Sequence, residues 1–145
     1  MSANLRIAVE DPPHDDAAEI TRRLIAFNRR IAERPEPQRF VAAARDDTGT
    51  IRGGVNAILH WDVLFIDDFW VDEGLQRQGL GSRLLAASER EGLKRGATIA
   101  YLDTFSWQAR PFYEKQGYTV FGELPYANDR HKRFFMSKRL KDRPA

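Results

Sequence analysis

A buried strand, a glycine-rich link, a helix and a second buried strand follow one another in the middle of this chain of 145 residues. Residues 63–71 contain too many consecutive apolar residues for a solvent-facing strand, so we predict a central strand there. Residues 79–95 have the apolar spacing of a helix, and residues 97–104 are a candidate for another buried strand. Elements in this order predict a parallel βαβ unit, which requires a sheet with a helix packed on one face.

The segments on either side of this unit predict strands that pair in antiparallel fashion. Residues 40–45 and 50–60 are rich in β-forming residues and are separated by Asp46-Asp47-Thr48-Gly49, a sequence typical of a turn. The other predicted elements are a short strand at 5–10, a helix at about 15–34, a short helix within 107–116, and strands at 118–124 and 131–140. We therefore predict an α+β fold and a single domain over residues 1–145.

The composition argues against several classes of function. The chain has 23 lysines and arginines against 21 aspartates and glutamates, and a net charge of +2 is small for a nucleic-acid-binding protein. It has no run of 18 apolar residues and no pattern typical of a secretory signal, so we expect a cytoplasmic domain without a membrane partner. Cysteine is absent, which excludes disulfides, thiolate ligands and cysteine nucleophiles. The histidines, His14, His60 and His131, lack the spacing of metal ligands, so we expect no metal site.

The link between the central strand and the next helix has the properties of an anion-binding loop. Gly79 and Gly81 lie where the helix begins, and a helix N-terminus presents unpaired backbone N–H groups and a partial positive charge. Residues without a side chain let a phosphate approach those groups closely, and Arg77 and Ser82 can add further donors. The alternative is that the glycines serve only a tight turn and close packing of the helix on the sheet.

Two common phosphate-binding motifs do not fit this link. A Walker loop requires Lys-Ser or Lys-Thr after its last glycine, and here Gly81 is followed by Ser82-Arg83. A dinucleotide-binding fingerprint requires a third glycine three residues after the second, and Leu84 stands at that position. We therefore do not expect the anion to be held as in a nucleotide hydrolase or a dehydrogenase.

Two segments of the chain together resemble one enzyme family. Residues 76–81, Gln-Arg-Gln-Gly-Leu-Gly, fit the pattern Q/R-x-x-G-x-G/A, and residues 109–118 fit A-x-x-F-Y-x-K-x-G-Y/F. These segments are similar to the pyrophosphate loop and the second signature of the GCN5-related N-acetyltransferase (GNAT) superfamily. The order of the predicted elements also resembles that family across nearly the whole chain. The resemblance implies a mixed, mostly antiparallel sheet of six or seven strands with about four helices.

The resemblance implies that acetyl-CoA binds as a co-substrate where two parallel strands diverge, here the strands ending at Val71 and Thr104. Backbone N–H groups of the glycine link would hold its diphosphate, and main-chain groups at the end of the central strand would hold the pantetheine arm and polarise the thioester carbonyl. Ser106 occupies a position where the family often has an asparagine that contacts the cofactor; the alternative is that Ser106 only caps the helix that follows. The implied cofactor-binding residues are Phe69, Trp70, Val71, Gln76, Arg77, Gln78, Gly79, Leu80, Gly81, Ser82 and Ser106.

The implied reaction is transfer of the acetyl group to a primary amine of a small molecule or a peptide, by direct attack in a ternary complex. The alternative is a non-catalytic module that keeps the GNAT fold and binds an acyl-CoA without turnover. In this fold, residues 15–34 and the loop 125–130 are expected to shape the pocket for the acceptor amine. Homodimers are frequent in the family, so the resemblance leaves a homodimer open.

Tyr113 is the candidate catalytic acid, because a phenol with a reference pKa of about 10 is protonated at neutral pH and can donate to the leaving thiolate. The alternative is that Tyr113 only packs in the core. A carboxylate is expected to take the proton of the amine. Asp67 and Asp68 lie on the central strand, and strict alternation places Asp67 on the same face as Phe69, so we favour Asp67 as the base. Glu123 is a third candidate, and ion pairing with arginines is the alternative for both aspartates.

Overall fold

The computed structural model describes residues 4–13, 15–33 and 35–141. They fall into two compact units, one within residues 1–34 and the other within residues 35–145. His14, one of the three histidines considered as metal ligands, and Arg34, the predicted end of the first helix, lie outside the described residues.

The first unit contains one helix in its described residues, α1 (Asp16–Ile31), close to the helix predicted at 15–34. Asp16 and Glu19 lie in its first turn and two arginines lie in its last turn, an order that complements the helix dipole. The prediction of a strand at 5–10 is wrong, because these residues form no strand. Alternating apolar residues favour an extended backbone, but a strand also requires a hydrogen-bonded neighbour, which an alternating pattern does not supply.

The second unit is built on a mixed sheet of six strands. They are β1 (Gln38–Arg45), β2 (Ile51–His60), β3 (Val63–Val71), β4 (Ile99–Phe105), β5 (Thr119–Tyr126) and β6 (His131–Arg139), in the spatial order β1-β2-β3-β4-β6-β5. Only β3 and β4 pair in parallel. Helix α2 (Leu80–Lys94) connects these two strands, and a short helix, α3 (Arg110–Lys115), follows β4. The predicted parallel βαβ unit within a mostly antiparallel sheet is confirmed.

The core of the second unit holds α2 against the sheet. Leu64 of β3, Leu85 of α2 and Met136 of β6 are each less than 2% exposed, and burial of such side chains contributes about 1.5–3 kcal/mol each. Gly92 lets α2 approach β3 closely, because a Cβ atom there would lie only 2.7 Å from Cδ2 of Leu64. The packing therefore fixes where α2 begins relative to the end of β3.

A β-bulge interrupts β3 near its middle. Ile66 lies opposite Ala57 of β2 and Asp68 lies opposite Asn56, so Asp67 is an extra residue without a counterpart. The bulge shifts the alternation by one position: Ile66 and Phe69 both pack toward the core, and the two aspartates between them are exposed. Bulges often reorient side chains in this way near functional sites.

Candidate active site

The parallel strands β3 and β4 diverge shortly after they begin. They pair only from Val63 opposite Ile99 to Phe65 opposite Tyr101. Beyond that point, residues 66–71 of β3 pair with no strand on the side that faces β4. Strand β4 itself continues to pair with β6 as far as Phe105. Main-chain groups at the end of β3 are therefore available to a ligand that enters between the strands.

The loop from β3 to α2 is anchored at its first residue. Oδ1 of Asp72 accepts a hydrogen bond from the Gly74 amide at 3.0 Å, and Oδ2 accepts one from Nε of Arg52 at 2.9 Å. The Gly74 amide and the Arg52 guanidinium hold the pKa of Asp72 below its usual value. The side chain of Gln76 also donates to the Val71 carbonyl at 3.2 Å. These bonds close the loop onto the end of β3.

The second half of the loop presents a run of unpaired amides. Arg77 and Gly79 both have left-handed backbone conformations, with φ of +65° and +79°. The N–H groups of residues 77–82 donate to no acceptor in the described part of the chain; the first amide of this region to do so is that of Arg83, which donates to the Gly79 carbonyl. A Cβ atom at Gly79 would meet nothing within 4 Å, so space is open beside these amides. Consecutive free amides at a helix N-terminus bind anions.

A cleft of about 720 Å³ lies beside these amides. We call it the basic cleft, because Arg77 and Lys115 are among its lining residues and no aspartate or glutamate is. It is lined by Phe69, Val71, Gln76, Arg77, Gly79, Gly81, Ser82, Trp107, Gln108, Ala109, Phe112, Tyr113 and Lys115. The positive charge and the free amides suit a diphosphate.

A second cleft of about 390 Å³ lies between the diverging strands. We call it the acidic cleft, because its lining includes Asp67, Asp68 and Asp103 and no lysine, arginine or histidine. Its other lining residues are Ile66, Phe69, Trp70, Leu102, Thr104, Phe105, Gln108, Ala109 and Tyr113. Four residues line both clefts: Phe69, Gln108, Ala109 and Tyr113. The two clefts therefore adjoin at these four residues.

The structure brings most, but not all, of the predicted cofactor-binding residues to the basic cleft. Phe69, Val71, Gln76, Arg77, Gly79, Gly81 and Ser82 line it. Trp70 lines the acidic cleft instead, and the side chains of Gln78 and Leu80 contribute to a separate groove with residues of β1. The predicted role of Gln78 and Leu80 concerns their amides, which are unpaired like those of their neighbours.

Ser106 lies in neither cleft. Its amide donates to the Lys132 carbonyl at 2.8 Å, and its Oγ accepts from the Lys132 amide at 3.1 Å. These two bonds join the end of β4 to β6, and because Ser106 lines neither cleft the geometry gives no support to a cofactor contact. Ser106 also does not cap α3, because the residue before that helix is Ala109.

Tyr113 is a buried residue at the junction of the two clefts. It is 8% exposed, and its hydroxyl has no hydrogen-bond partner among the described residues. Burial, with a smaller contribution from the charge of Asp103, raises the pKa of Tyr113 to about 12. The phenol is therefore protonated at any pH near neutrality and is free to donate to a ligand.

The raised pKa of Tyr113 predicts a loss of stability in alkaline solution. In the unfolded chain the pKa is about 10, so the folded protein binds more protons between pH 10 and pH 12. Stability is full below pH 10 and falls above it, by about 1.4 kcal/mol between pH 8 and pH 11 for this one group. Urea unfolding at pH 8 and pH 11 measures the decrease in the free energy of unfolding between these values. We expect this decrease to be about 1.4 kcal/mol smaller in Tyr113→Phe than in the unmodified protein. Equal declines would contradict the assigned shift.

The bulge corrects the argument that favoured Asp67. We expected Asp67 to share a face with Phe69, but the extra residue places Phe69 toward the core and leaves both Asp67 and Asp68 exposed in the acidic cleft. Oδ2 of Asp68 accepts a hydrogen bond from Nδ2 of Asn56 at 2.9 Å. Asp67 has no hydrogen bond or ion pair among the described residues, and neither aspartate pairs with an arginine.

Glu123, the third candidate for the base, lies outside both clefts. Its carboxylate pairs with Lys132 at 3.6 Å, and both side chains are more than half exposed. The loop 125–130 likewise contributes no residue to the two clefts. The expectation that residues 15–34 shape the acceptor pocket stays a prediction.

Three residues of the site were not identified from the sequence. Oε1 of Gln108 accepts from the Phe105 amide at 2.7 Å and so holds the loop after β4 in place. Asp103 lines the acidic cleft but pairs with Arg133 at 2.9 Å. Lys115 lines the basic cleft. The second motif is the only sequence feature that could have identified two of these residues: Lys115 lies within it, and Gln108 directly precedes it.

Two other kinds of site are not seen in the described residues. No group of three or more histidine, cysteine, aspartate or glutamate side chains there is arranged to hold a metal ion. No helix within the same residues has both the length and the apolar character needed to span a bilayer.

The sequence is similar to acetyltransferases along much of its length. The family model described as Acetyltransferase (GNAT) family matches residues 3–118. Blasticidin-S acetyltransferase of Streptomyces morookaense is 32% identical over 87 residues, which cover 59% of this chain and 64% of that protein. The chain thus spans slightly less than two thirds of that relative. An acetyltransferase of Agrobacterium fabrum is 31% identical over 101 residues, which cover 70% of this chain and 74% of that protein.

The fold is similar to a solved acetyltransferase structure. The crystal structure of an acetyltransferase from Bacillus cereus superposes with a TM-score of 0.82 at 28% identity, covering 94% of this chain and 97% of the other. The family match covers well over half of the chain, and the superposition covers nearly all of it. This chain therefore belongs to the GNAT family of acetyltransferases.

Proposed function

We propose that this chain transfers the acetyl group of acetyl-CoA to a primary amine of a small molecule. One observation carries the proposal: a basic cleft and an acidic cleft adjoin at the buried hydroxyl-bearing residue Tyr113. The positive charge of the basic cleft attracts a diphosphate, and the negative charge of the acidic cleft attracts a protonated amine. The two substrates would therefore bring their reacting groups together at the residues that line both clefts.

The residues of the basic cleft fit acetyl-CoA, the co-substrate of GNAT acetyltransferases. We assign the diphosphate to the free amides of residues 77–82, with Arg77 and Lys115 as counter-charges. Hydrogen bonds to charged groups contribute about 1.5–3 kcal/mol each. We assign the pantetheine arm and the thioester carbonyl to the main-chain groups of residues 69–71 on the side that β4 leaves open, apart from the Val71 carbonyl, which accepts from Gln76. A backbone N–H held rigidly there stabilises negative charge on the carbonyl oxygen.

Asp67 is the proposed base. An alkyl amine with a pKa near 10.4 is almost wholly protonated at pH 7, and removal of its proton costs about 4.6 kcal/mol. Asp67 has no hydrogen bond or ion pair among the described residues and lines the acidic cleft, so its carboxylate is available to take this proton. The neutral nitrogen then attacks the thioester carbon, and the carbon–sulfur bond breaks to release the thiolate. The nitrogen loses its second proton as the amide forms, and this proton goes to the thiolate or to solvent.

Tyr113 is the proposed acid. With its pKa near 12, against about 8.5 for a cysteine-like thiol, full transfer of its proton to the thiolate would cost about 5 kcal/mol. Tyr113 therefore stabilises the leaving sulfur mainly by donating a hydrogen bond. Because a thiolate leaves fairly well unaided, this contribution speeds the reaction without being indispensable.

The proposal is tested by following free thiol released from acetyl-CoA with a panel of primary amines. We expect release that requires both the protein and an amine. The alternative, a module that binds acyl-CoA without turnover, would bind acetyl-CoA in calorimetry and release no thiol with any amine. Absence of binding in calorimetry would contradict both functions.

The size of the acidic cleft, about 390 Å³, supports a small-molecule acceptor, because it lies in the range of pockets that enclose small ligands. A relative whose name is blasticidin-S acetyltransferase also supports it. We further propose that residues 1–145 act as one N-acetyltransferase domain. A homodimer stays a prediction from the family resemblance, which sedimentation velocity checks.

A further inference from the structure

The charges in the acidic cleft do not match a simple monoamine. Of its three aspartates, Asp103 is neutralised, because its carboxylate lies 2.9 Å from the guanidinium of Arg133. Asp67 and Asp68 have no ion pair with any described residue, and none of the described lysine, arginine or histidine side chains lines the cleft. A monoamine that binds there compensates one negative charge and leaves the other uncompensated.

The two aspartates differ in how firmly they are held. Asp68 accepts a hydrogen bond from Asn56 on the neighbouring strand at 2.9 Å, which fixes the direction of its carboxylate. Asp67, the extra residue of the bulge, has no such bond. A carboxylate that is held in one direction is suited to bind a positive charge that does not react. A carboxylate without a hydrogen-bond partner is suited to accept a proton.

A second and independent observation marks this cleft as a ligand site. Tyr113 lines it, is more than nine-tenths buried, and has a hydroxyl without a hydrogen-bond partner among the described residues. The side chain of Trp70 also lines the cleft, and aromatic faces attract cations as carboxylates do. Trp70 and the two unpaired aspartates therefore favour a positively charged occupant.

We infer that the preferred acceptor is an amine that carries a second positive charge, and that Asp68 binds this second charge while Asp67 faces the reacting nitrogen. The inference rests on the proposed function, because it concerns the acceptor of that reaction. It excludes acceptors with a carboxylate near the reacting amine, since two unpaired aspartates repel them.

The test compares three acceptors of equal length that differ only at the far end: 1,4-diaminobutane, 4-amino-1-butanol and pentylamine. We expect kcat/KM for the diamine to exceed that of the amino alcohol by about 10-fold or more, because a charged partner is lost in the neutral compound. High salt should reduce this ratio. In Asp68→Asn, which keeps the shape of the side chain and an acceptor for Asn56, the ratio calculated per amino group should fall to about 1.

A matched control is Glu123→Gln, which removes a carboxylate that lines neither cleft and should keep the ratio of the unmodified protein. Equal kcat/KM for the three acceptors would overturn the inference and leave the proposed function standing. A preference for the diamine that persists in Asp68→Asn would overturn the role of Asp68. Absence of thiol release with every acceptor would instead contradict the proposed function.

Discussion

Replacing Gly79 by valine is expected to weaken acetyl-CoA binding by about 100-fold. Gly79 has a φ of +79°, a left-handed conformation that a β-branched residue adopts only at a considerable cost. The loop would relax, and the free amides of residues 77–82 would no longer converge on one anion. Loss of one or two hydrogen bonds to a charged group, at about 1.5–3 kcal/mol each, corresponds to this factor. Titration calorimetry with acetyl-CoA measures it.

Gly49→Val is the matched control for this prediction. Gly49 also has a left-handed conformation, with a φ of +84°, and a Cβ atom there would also meet nothing within 4 Å. It lies in the turn between β1 and β2 and lines neither cleft. The same backbone strain should therefore lower stability and leave the Kd for acetyl-CoA unchanged. If Gly79→Val binds as tightly as the unmodified protein, the assignment of the diphosphate to these amides is wrong.

The central part of the fold could be predicted from the sequence because its signals are local. The strand predicted at 63–71 is β3, and the glycines that follow it mark the start of α2. A run of apolar residues and a following pair of glycines each depend on a few neighbouring residues. Once the strand, helix and strand were placed in order, the parallel pairing followed from the connection between them.

The positions of the two aspartates could not be predicted in the same way. Alternation along β3 assigns faces correctly only where every residue has a counterpart in the neighbouring strand. The bulge at Asp67 depends on how Asn56 and Ala57 of β2 pair with β3. The register of two strands depends on tertiary contacts, which the sequence of one strand does not show. One extra residue in β3 therefore reversed the face that alternation assigns to the residues that follow it.

Contacts between distant residues limited the other assignments. Ser106 is held by Lys132, and Asp103 is neutralised by Arg133, which is 30 residues away in the chain. A family motif predicts which residues lie near the cofactor, but not which of them already have partners elsewhere in the protein. The distinction between an available polar group and a paired one required coordinates.

Replacing Tyr113 by phenylalanine is expected to lower kcat by about 100-fold, which corresponds to the loss of a hydrogen bond of about 1.5–3 kcal/mol to the charged sulfur. The ring would stay, along with its edge contacts to Phe69, Phe112 and Tyr118 at centroid distances of 5.2–6.1 Å. Only the hydroxyl is lost, and it has no protein partner among the described residues, so stability near neutral pH should hardly change. KM for acetyl-CoA and for the amine should stay within about 2-fold, because the hydroxyl acts on the leaving sulfur and not on binding.

Tyr118→Phe separates this effect from the general loss of a buried phenol. Tyr118 is also buried and belongs to the same motif, but its hydroxyl donates to Glu89 at 2.8 Å and the residue lines neither cleft. We expect this variant to lose about 1.5–3 kcal/mol of stability, since the hydrogen bond has a charged acceptor, and to keep its kcat. Steady-state thiol release and urea unfolding of both variants give the comparison. If Tyr113→Phe keeps full kcat, Tyr113 is a packing residue, and another group must assist the departure of the thiolate.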